Sequence, residues 1–304
     1  MIPQVISQII SFGPYSENSK VVLACSGGAD STFLAHAYKS ASQTSLLPTA
    51  IVAVIDHAQH EQSREQTAKV VDGYHRLGFE VVSQRISCDR GINENDMRNQ
   101  RYAALLEIAK HHQASKVFVA HHAEDQAETI LQRIMRGTGI NGLVGMRPSR
   151  DMGDGIELCR PLLNMRRDEM RAYLSANKME WLEDQSNSDV EYATRNKIRH
   201  QLLPQLGEIA TGDPIKALTK LAGEAADWES AQQQLLGQDH DFAEVPSYLR
   251  RQAVRAELLK LGEKVTPQRL LDIEGALIKK GSAVINTALR FSTSGGKLLV
   301  VARR

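Results

Sequence analysis

Four short runs of β-branched and aliphatic residues, each followed by a stretch with helical spacing, confine the first two hundred residues of this chain to an alternating α/β design. The runs are Lys20–Cys25, Thr49–Asp56, Phe79–Gln84 and Lys116–Ala120. Each has the length and apolar content of a strand buried on both faces. Ser63 N-caps an expected helix to Leu77, with Gly78 as its stop. Arg98–His111 carries Tyr102, Leu105, Leu106 and Ala109 on one stripe, and Ala127, Ile130, Leu131, Ile134 and Met135 form another that ends at Gly137. Strands alternating with helices predict βαβ units and an α/β fold with a doubly wound, mostly parallel sheet.

The texture changes further along. Residues 137–165 read as loop, and 166–177 and 194–203 as helical. Pro204 and the Thr-Gly-Asp-Pro segment at 211–214 mark a boundary. Beyond it come helical patterns around 215–236, 246–261 and 266–279, then strand-like Ala288–Ser292 and Lys297–Ala302 flanking a Gly295–Gly296 turn. Two domains are expected: 1–206, and a smaller, mainly helical one over 207–304.

Composition excludes several classes. With 37 Lys+Arg against 36 Asp+Glu the formal net charge is +1, so a uniformly basic nucleic-acid binder is excluded. The average hides a split: residues 1–206 carry 23 basic and 24 acidic side chains, 207–245 carry 2 and 8, and 246–304 carry 12 and 4. The C-terminal block is therefore a candidate for polyanion contact. Cys25, Cys88 and Cys159 are far apart and form no C-x-x-C pair, which speaks against a disulfide framework and for a reducing, cytoplasmic setting. No secretory leader and no apolar run of transmembrane length is visible, so no membrane partner is expected.

The strongest chemical signal is Cys25-Ser26-Gly27-Gly28-Ala29-Asp30-Ser31-Thr32, placed between the first strand and the following helix. Two glycines allow a tight turn and close approach of a ligand, and the helix N-terminus offers N–H groups to phosphate. Ser26 and Ser31 add hydroxyls, while Asp30 would repel a phosphate unless a cation lay between them, which points to Mg²⁺. Asp56 ends the second strand at the same carboxyl edge, followed by His57-Ala58-Gln59-His60. The fourth strand runs into His121-His122-Ala123-Glu124-Asp125-Gln126-Ala127-Glu128-Thr129, where Asp125, Glu128 and Thr129 share one helix face. That polar cluster suits a cationic substrate and a metal. A zinc site from His121, His122 and Asp125 with Asp56 and His57 is the competing reading, and ordinary first-turn carboxylates are the plain one.

S-G-G-x-D-S resembles the pyrophosphatase loop of the N-type ATP pyrophosphatases, the PP-loop superfamily with its adenine nucleotide alpha hydrolase-like fold. The ordered set resembles one family within it, tRNA(Ile)-lysidine synthase. Its pattern continues through Glu94, Arg98, Arg101 and Tyr102, then His121–Thr129 and Arg136-Gly137-Thr138-Gly139 running to Gly142-Leu143-Val144-Gly145-Met146. Arg160-Pro161-Leu162-Leu163, Trp181 to Asn187, and Arg195-Asn196-Lys197-Ile198-Arg199 complete it, over roughly residues 20–204. Two departures stand out: Ala58-Gln59-His60 replaces the G-L-R of a D-H-G-L-R strand end, and Gln185 stands where proline is usual. The C-terminal part looks like the first C-terminal domain of the family, as in its short form.

The resemblance implies a ligase that joins free L-lysine to C2 of the wobble cytidine of an isoleucine tRNA through an adenylated base, releasing AMP and pyrophosphate. It implies ATP and Mg²⁺, with Ser26, Gly27, Gly28, Ala29, Asp30, Ser31 and Asp56 at the nucleotide and Asp30 at the metal. Asp30, His121, Asp125, Glu128 and Arg195 become the expected catalytic residues: Asp125 and Glu128 for lysine orientation or base function, His121 adjacent, Arg195 toward a carboxylate or phosphate. Arg166, Arg167, Arg171 and the basic C-terminal block would meet tRNA phosphates, and a homodimer is allowed. A tRNA-thiolating relative, which would use paired cysteines, and an RNA-binding module without turnover are the rival readings.

Overall fold

The structure, a computed structural model, describes residues 2–16, 19–44, 47–56, 63–86, 94–183, 194–237, 242–294 and 297–302. His57–His60, Cys88, Asp184–Asn187 and the Gly295–Gly296 turn lie outside the described residues, as does the side chain of Glu94. The chain divides into two compact units, Met1–Gly223 and Glu224–Arg304.

The first unit runs α1 (Ile2–Ser11), β1 (Lys20–Ala24), α2 (Ala29–Thr44), β2 (Thr49–Asp56), α3 (Ser63–Arg76), β3 (Glu80–Arg85), α4 (Glu94–His111), β4 (Ala114–Phe118) and α5 (Ala123–Met135). It continues with α6 (Ile140–Leu143), β5 (Ser149–Gly153), β6 (Ile156–Cys159), α7 (Arg167–Ala176), α8 (Thr194–Lys197), a π-helical turn Ile198–Leu202 and α9 (Leu203–Ile209). The six strands form one sheet in the order β3-β2-β1-β4-β6-β5, parallel throughout except for the edge strand β5. Period-2 alternation sends Val21 and Leu23 to one face, with Phe33, Leu34, Tyr38, Val70 and Met170, and sends Val22 to the other, with Leu105 and Ile108. The expected doubly wound fold is what the chain adopts.

The stretch 137–165, read as loop, holds α6 and the β5–β6 hairpin instead. Its turn is Asp154-Gly155, both at positive φ (54° and 74°), the two-residue combination that lets a hairpin keep its twist. The strand order reverses at β1: the chain moves outward through β2 and β3, then returns to place β4 on the other side. Loops leaving β1 and β4 therefore part to opposite faces and leave a crevice at their carboxyl ends.

α10 (Pro214–Gly237) carries the chain into the second unit, which adds α11 (Ser247–Lys260), α12 (Pro267–Lys280), β7 (Ser282–Val284), β8 (Leu289–Ser294) and β9 (Lys297–Ala302). The three strands pair antiparallel in the order β7-β8-β9, so a small sheet joins the expected helices. Val254, Leu258, Leu270, Ile273, Leu277 and Phe291 form its core. Thr266 caps α12 by accepting from the Arg269 N–H at 3.2 Å, Pro267 begins it, and Gly281 ends it at φ 64°.

Gly27 tests how tightly the loop after β1 is specified. Its φ is +86°, and a Cβ there would lie 2.4 Å from Cγ2 of Val70 on α3. Gly27→Ala is expected to cost about 2–3 kcal/mol of unfolding free energy in a urea titration, combining the left-handed penalty with overpacking. Adding Val70→Ala should remove the overpacking but not the backbone strain, so recovery should be partial; full recovery would show that φ does not matter here.

Candidate functional site

The loop between β1 and α2 is braced from within. Cys25 N–H donates to Ala53 O at 3.0 Å, extending the sheet by one bond past β1. The Ser31 hydroxyl sits in the turn, accepting from Ser26 N–H at 3.2 Å and donating to Gly28 O at 3.0 Å. Leu182 N–H donates to Gly27 O at 2.9 Å, so the segment after α7 closes over the same turn. Ala29 and Ser31 are buried and Ser26 is exposed. Ser31, expected as a ligand donor, thus spends its hydroxyl holding the loop, while the backbone N–H groups of the α2 start remain the groups suited to an anion.

Asp30 lies in the first turn of α2 and points across the crevice. Its Oδ2 is 3.5 Å from Nε2 of His122, and its Oδ1 is buried without a hydrogen-bond partner among the described residues. His122 precedes α5 and is buried; its Nδ1 is 2.9 Å from Glu124 Oε2 and its Nε2 is also 3.5 Å from Asp125 Oδ2. Burial alone would depress this imidazole, but the charge of Asp125, with the hydrogen bonds the ring donates to Asp30 and Glu124, pushes it up to about 10. His122 is therefore an imidazolium that ties the β1 loop to α5. Sequence reasoning passed it over in favour of His121. Its signal was its place, one residue before a helix whose third residue is Asp.

Asp125 and Glu128 face a pair of arginines. Asp125 Oδ1 accepts from Arg195 Nη2 at 2.7 Å and Arg199 Nη2 at 3.2 Å, and its Oδ2 accepts from the His122 N–H at 3.1 Å. Glu128, with no exposed surface, accepts from Arg195 Nε at 2.6 Å and from Arg199 Nε at 2.5 Å. Burial opposes ionisation of Asp125, but the charges of His122, Arg195 and Arg199 hold its carboxyl far below the usual range. Arg199 had appeared only as part of a motif, and the structure makes it an equal partner of Arg195.

The remaining expected residues fall around this cluster. His121 Nδ1 accepts from Arg160 Nε at 3.3 Å. Burial pushes its pKa down to about 3; Asp125 opposes that, and Arg98, Arg160 and Arg195 add to it, so the ring is neutral with its hydrogen on Nε2. Asp56, buried at the end of β2, accepts from Ser63 Oγ at 3.4 Å and lies 3.7 Å from Arg85 Nε. The zinc reading loses its ligands: His122 turns both ring nitrogens to carboxylates and His121 gives its lone pair to Arg160. Cys25 and Cys159 are buried with thiols pushed up to about 12 by burial, unlike reactive thiolates.

Arg166 and Arg171, expected at tRNA phosphates, are partly exposed and each pairs with a carboxylate. Arg166 Nε donates to Glu124 Oε1 at 2.8 Å and its Nη1 pairs with Asp213, while Arg171 Nη2 donates to Glu183 at 3.1 Å. Gln126 clamps the glycine-rich stretch before β5, donating to the carbonyls of Val144 and Met146 and accepting from Met146 N–H at 2.7 Å.

A parallel sheet whose central strand feeds a glycine turn into a helix N-terminus, beside the switch in strand order, defines an α/β domain built around a site at the carboxyl edge. The chain belongs to the PP-loop domain family, whose model matches residues 1–206. The tRNA(Ile)-lysidine synthase of Geobacter sulfurreducens is 37% identical over 207 residues, 66% of this chain and 43% of that protein. Those of Alkalilimnicola ehrlichii and Pseudomonas aeruginosa are 38% and 34% identical over 71% and 64% of this chain, and 48% and 44% of their own. The matched stretch is thus less than half of each relative's length. Among solved structures, the U34-tRNA thiolase NcsA of Methanococcus maripaludis shares the fold, with a TM-score of 0.60 at 12% identity over 74% of this chain and 80% of its own.

Two measurements check the cluster. Glu128→Ala leaves two arginines beside an emptied buried site and should lower unfolding free energy by about 3–5 kcal/mol in denaturant titrations. A loss below about 1 kcal/mol would mean that water reaches the pair. Glu124 is opposed by burial yet brought from 4.5 down to about 2 by His122 and Arg166. Its folded-state pKa is depressed, so its stabilisation is present above pH 4.5 and is lost as pH falls toward 2. Glu124→Gln should therefore shrink the acid limb of the stability profile in that window, and an unchanged limb would contradict the pairing.

Proposed function

We propose that the chain catalyses ATP-dependent joining of free L-lysine to C2 of the wobble cytidine of an isoleucine tRNA, through an adenylated cytidine. The observation that carries this reading is the meeting of two motifs across the β1–β4 crevice: Asp30 of the glycine loop reaches His122, and His122 reaches the Asp125 side of α5. The relatives' names support it. Residues 1–206 would carry the chemistry and 207–304 a tRNA contact, in a cytoplasmic enzyme that is allowed to form a homodimer.

In the first step the cytosine O2 attacks the α-phosphorus of ATP, and the bond to the bridging oxygen breaks with pyrophosphate taking the electron pair. In the second, the deprotonated ε-amine of lysine attacks C2, the C2–O bond breaks, and AMP leaves. The N–H groups at the start of α2 and the backbone of Gly27 and Gly28 suit the phosphates, with Ser26 at the exposed lip and Ala29 and Ser31 beneath. Asp56 stands beside them on β2.

A divalent cation fits Asp30, whose Oδ1 is buried without a hydrogen-bond partner among the described residues. No three His, Cys, Asp or Glu side chains converge as a metal cage among the described residues, so Mg²⁺ here would depend on Asp30 and on phosphate oxygens, its usual arrangement. Bound there, it would neutralise charge on the leaving pyrophosphate.

His121, neutral with its hydrogen on Nε2, is suited to donate to an oxygen of the reacting base or phosphate and poorly suited to take a proton. Asp125 is likewise too weak a base to deprotonate an amine. In this reading Asp125 and Glu128, each shared by Arg195 and Arg199, hold those guanidiniums in place, and Arg195 is the group for the carboxylate of the amino acid.

With ATP, labelled lysine and a transcript carrying the wobble cytidine, lysine should enter the RNA and pyrophosphate should appear; a wobble-uridine transcript should give neither. Asp30→Asn should lower kcat by about 10² or more, as loss of charge stabilisation at a transferring phosphoryl group does. Pyrophosphate release with RNA but no lysine incorporation would sink the reading in favour of a different base-activating chemistry.

A further inference from the structure

Three arginines crowd the carboxyl edge on the far side of β4 from the glycine loop. Arg98 near the start of α4 has its guanidinium 5.2 Å from the Tyr102 ring centroid, and Arg150 on β5 lies 4.9 Å from the same centroid. Arg160, the first residue after β6, is only 5% exposed, and its Nη1 donates to Arg147 O at 2.7 Å while its Nε reaches His121. β5 and β6 are antiparallel, with Arg150 opposite Leu158, which brings the start of β5 to the edge where Arg160 leaves β6.

The three differ from their neighbours in what balances them. Arg166, Arg171, Arg195 and Arg199 each hold a carboxylate. Arg98, Arg150 and Arg160 hold none among the described residues. Their partners are the ring and hydroxyl of Tyr102, a neutral imidazole and the carbonyls of Arg147 and Asp151. The guanidinium of Arg160 is disfavoured first by burial and then by Arg150 and Arg98, with Tyr102 opposing. Like charges brought together from α4, β5 and the end of β6 are costly unless an anion completes them.

We propose that Arg98, Arg150 and Arg160 form a phosphate-binding rim next to the α5 site. Planar forks approaching from three separate elements suit the several oxygens of a phosphate better than the two of a carboxylate. Tyr102 holds two of the forks by cation–π contact and so reduces the freedom they lose on binding. The phosphate comes either from an RNA backbone or from a nucleotide, and the two sources are separable by experiment. The inference rests on the charge balance of these side chains and not on the proposed reaction.

The test uses the full chain and two probes, a synthetic anticodon stem–loop RNA and ATP, whose affinities are measured across a salt series. The variants are Arg98→Gln/Arg150→Gln and, separately, Arg160→Gln, with thermal unfolding to confirm that each is folded. Should Arg160→Gln fail to fold, the double variant decides alone. For an RNA phosphate, the double variant should bind the stem–loop about tenfold more weakly, with the slope of log K against log salt reduced by about 1–2 and ATP affinity unchanged. For a nucleotide phosphate, ATP affinity should fall about tenfold while RNA affinity holds. Unchanged affinity for both probes in a folded variant overturns the rim, as does a wild-type chain that binds neither. Binding that weakens as expected in a chain that joins no lysine to RNA leaves the rim standing and removes the proposed reaction.

Discussion

A carboxylate with no exposed surface cannot stay ionised without partners, and Glu128 sets that constraint for the whole carboxyl edge. Two guanidiniums answer it, Arg195 and Arg199, one helical turn apart. Their charges would themselves be stranded without Asp125, which both also reach. Asp125 in turn holds His122, and His122 holds Asp30. Each member is tolerable only because the next is present. Removing any one exposes the others to the full desolvation cost, so the cluster is rigid by mutual need and not by apolar packing.

The sheet makes this chain of charges reach where it must. Returning β4 to the far side of β1 places the glycine turn and the start of α5 on two sides of one crevice. With His122 between them, the glycine turn and the charged start of α5 are coupled through a single ring. Glu124 extends the same connection outward, through Arg166, to Asp213. Asp213 also accepts from the N–H groups of Ile215 and Lys216, at 2.9 and 3.2 Å. The beginning of α10 is thus anchored to the site by charge as well as by the apolar contact of Ile215 and Leu218 with the cluster around Ala127 and Ile198.

The architecture was legible because it depends on period and punctuation. Apolar runs of strand length, glycine at the turn after the first strand and polar caps are local signals, and β1, β2, α3, α12 and β9 fall within a residue or two of where those signals put them. The β5–β6 hairpin escaped because its strands are short and partly polar; Asp154-Gly155 was the readable cue. The site was legible as a set of residues but not as a set of bonds. Spacing placed Asp125 and Glu128 on one face, yet nothing local says that Arg195 and Arg199, some seventy residues on, will neutralise them. Expecting lysine orientation or base function there followed from reading the carboxylates without their arginines, which the spacing does not reveal. Ser31 is similar, since a hydroxyl in a glycine turn can bond the turn itself, and the sequence does not show its bonds to Ser26 N–H and Gly28 O.

The same lesson bears on charge counting. A basic residue counts toward a polyanion surface only to the extent that its own fold leaves it unbalanced. Residues 246–304 carry twelve basic side chains against four acidic ones. In the second unit Arg250 and Arg251 both pair with Glu274, and Arg269 pairs with Glu263. These arginines stitch α11, α12 and the preceding turns together, and so contribute little to a long-range field. The surplus rests on exposed side chains such as Arg255, Lys264, Lys279, Lys280 and Arg290. In the first unit the sums are near neutral, but Arg98, Arg150 and Arg160 form an unbalanced knot within it. Net charge per segment therefore says less about an anion-facing surface than the count of arginines and lysines that no carboxylate balances, and only geometry shows which those are.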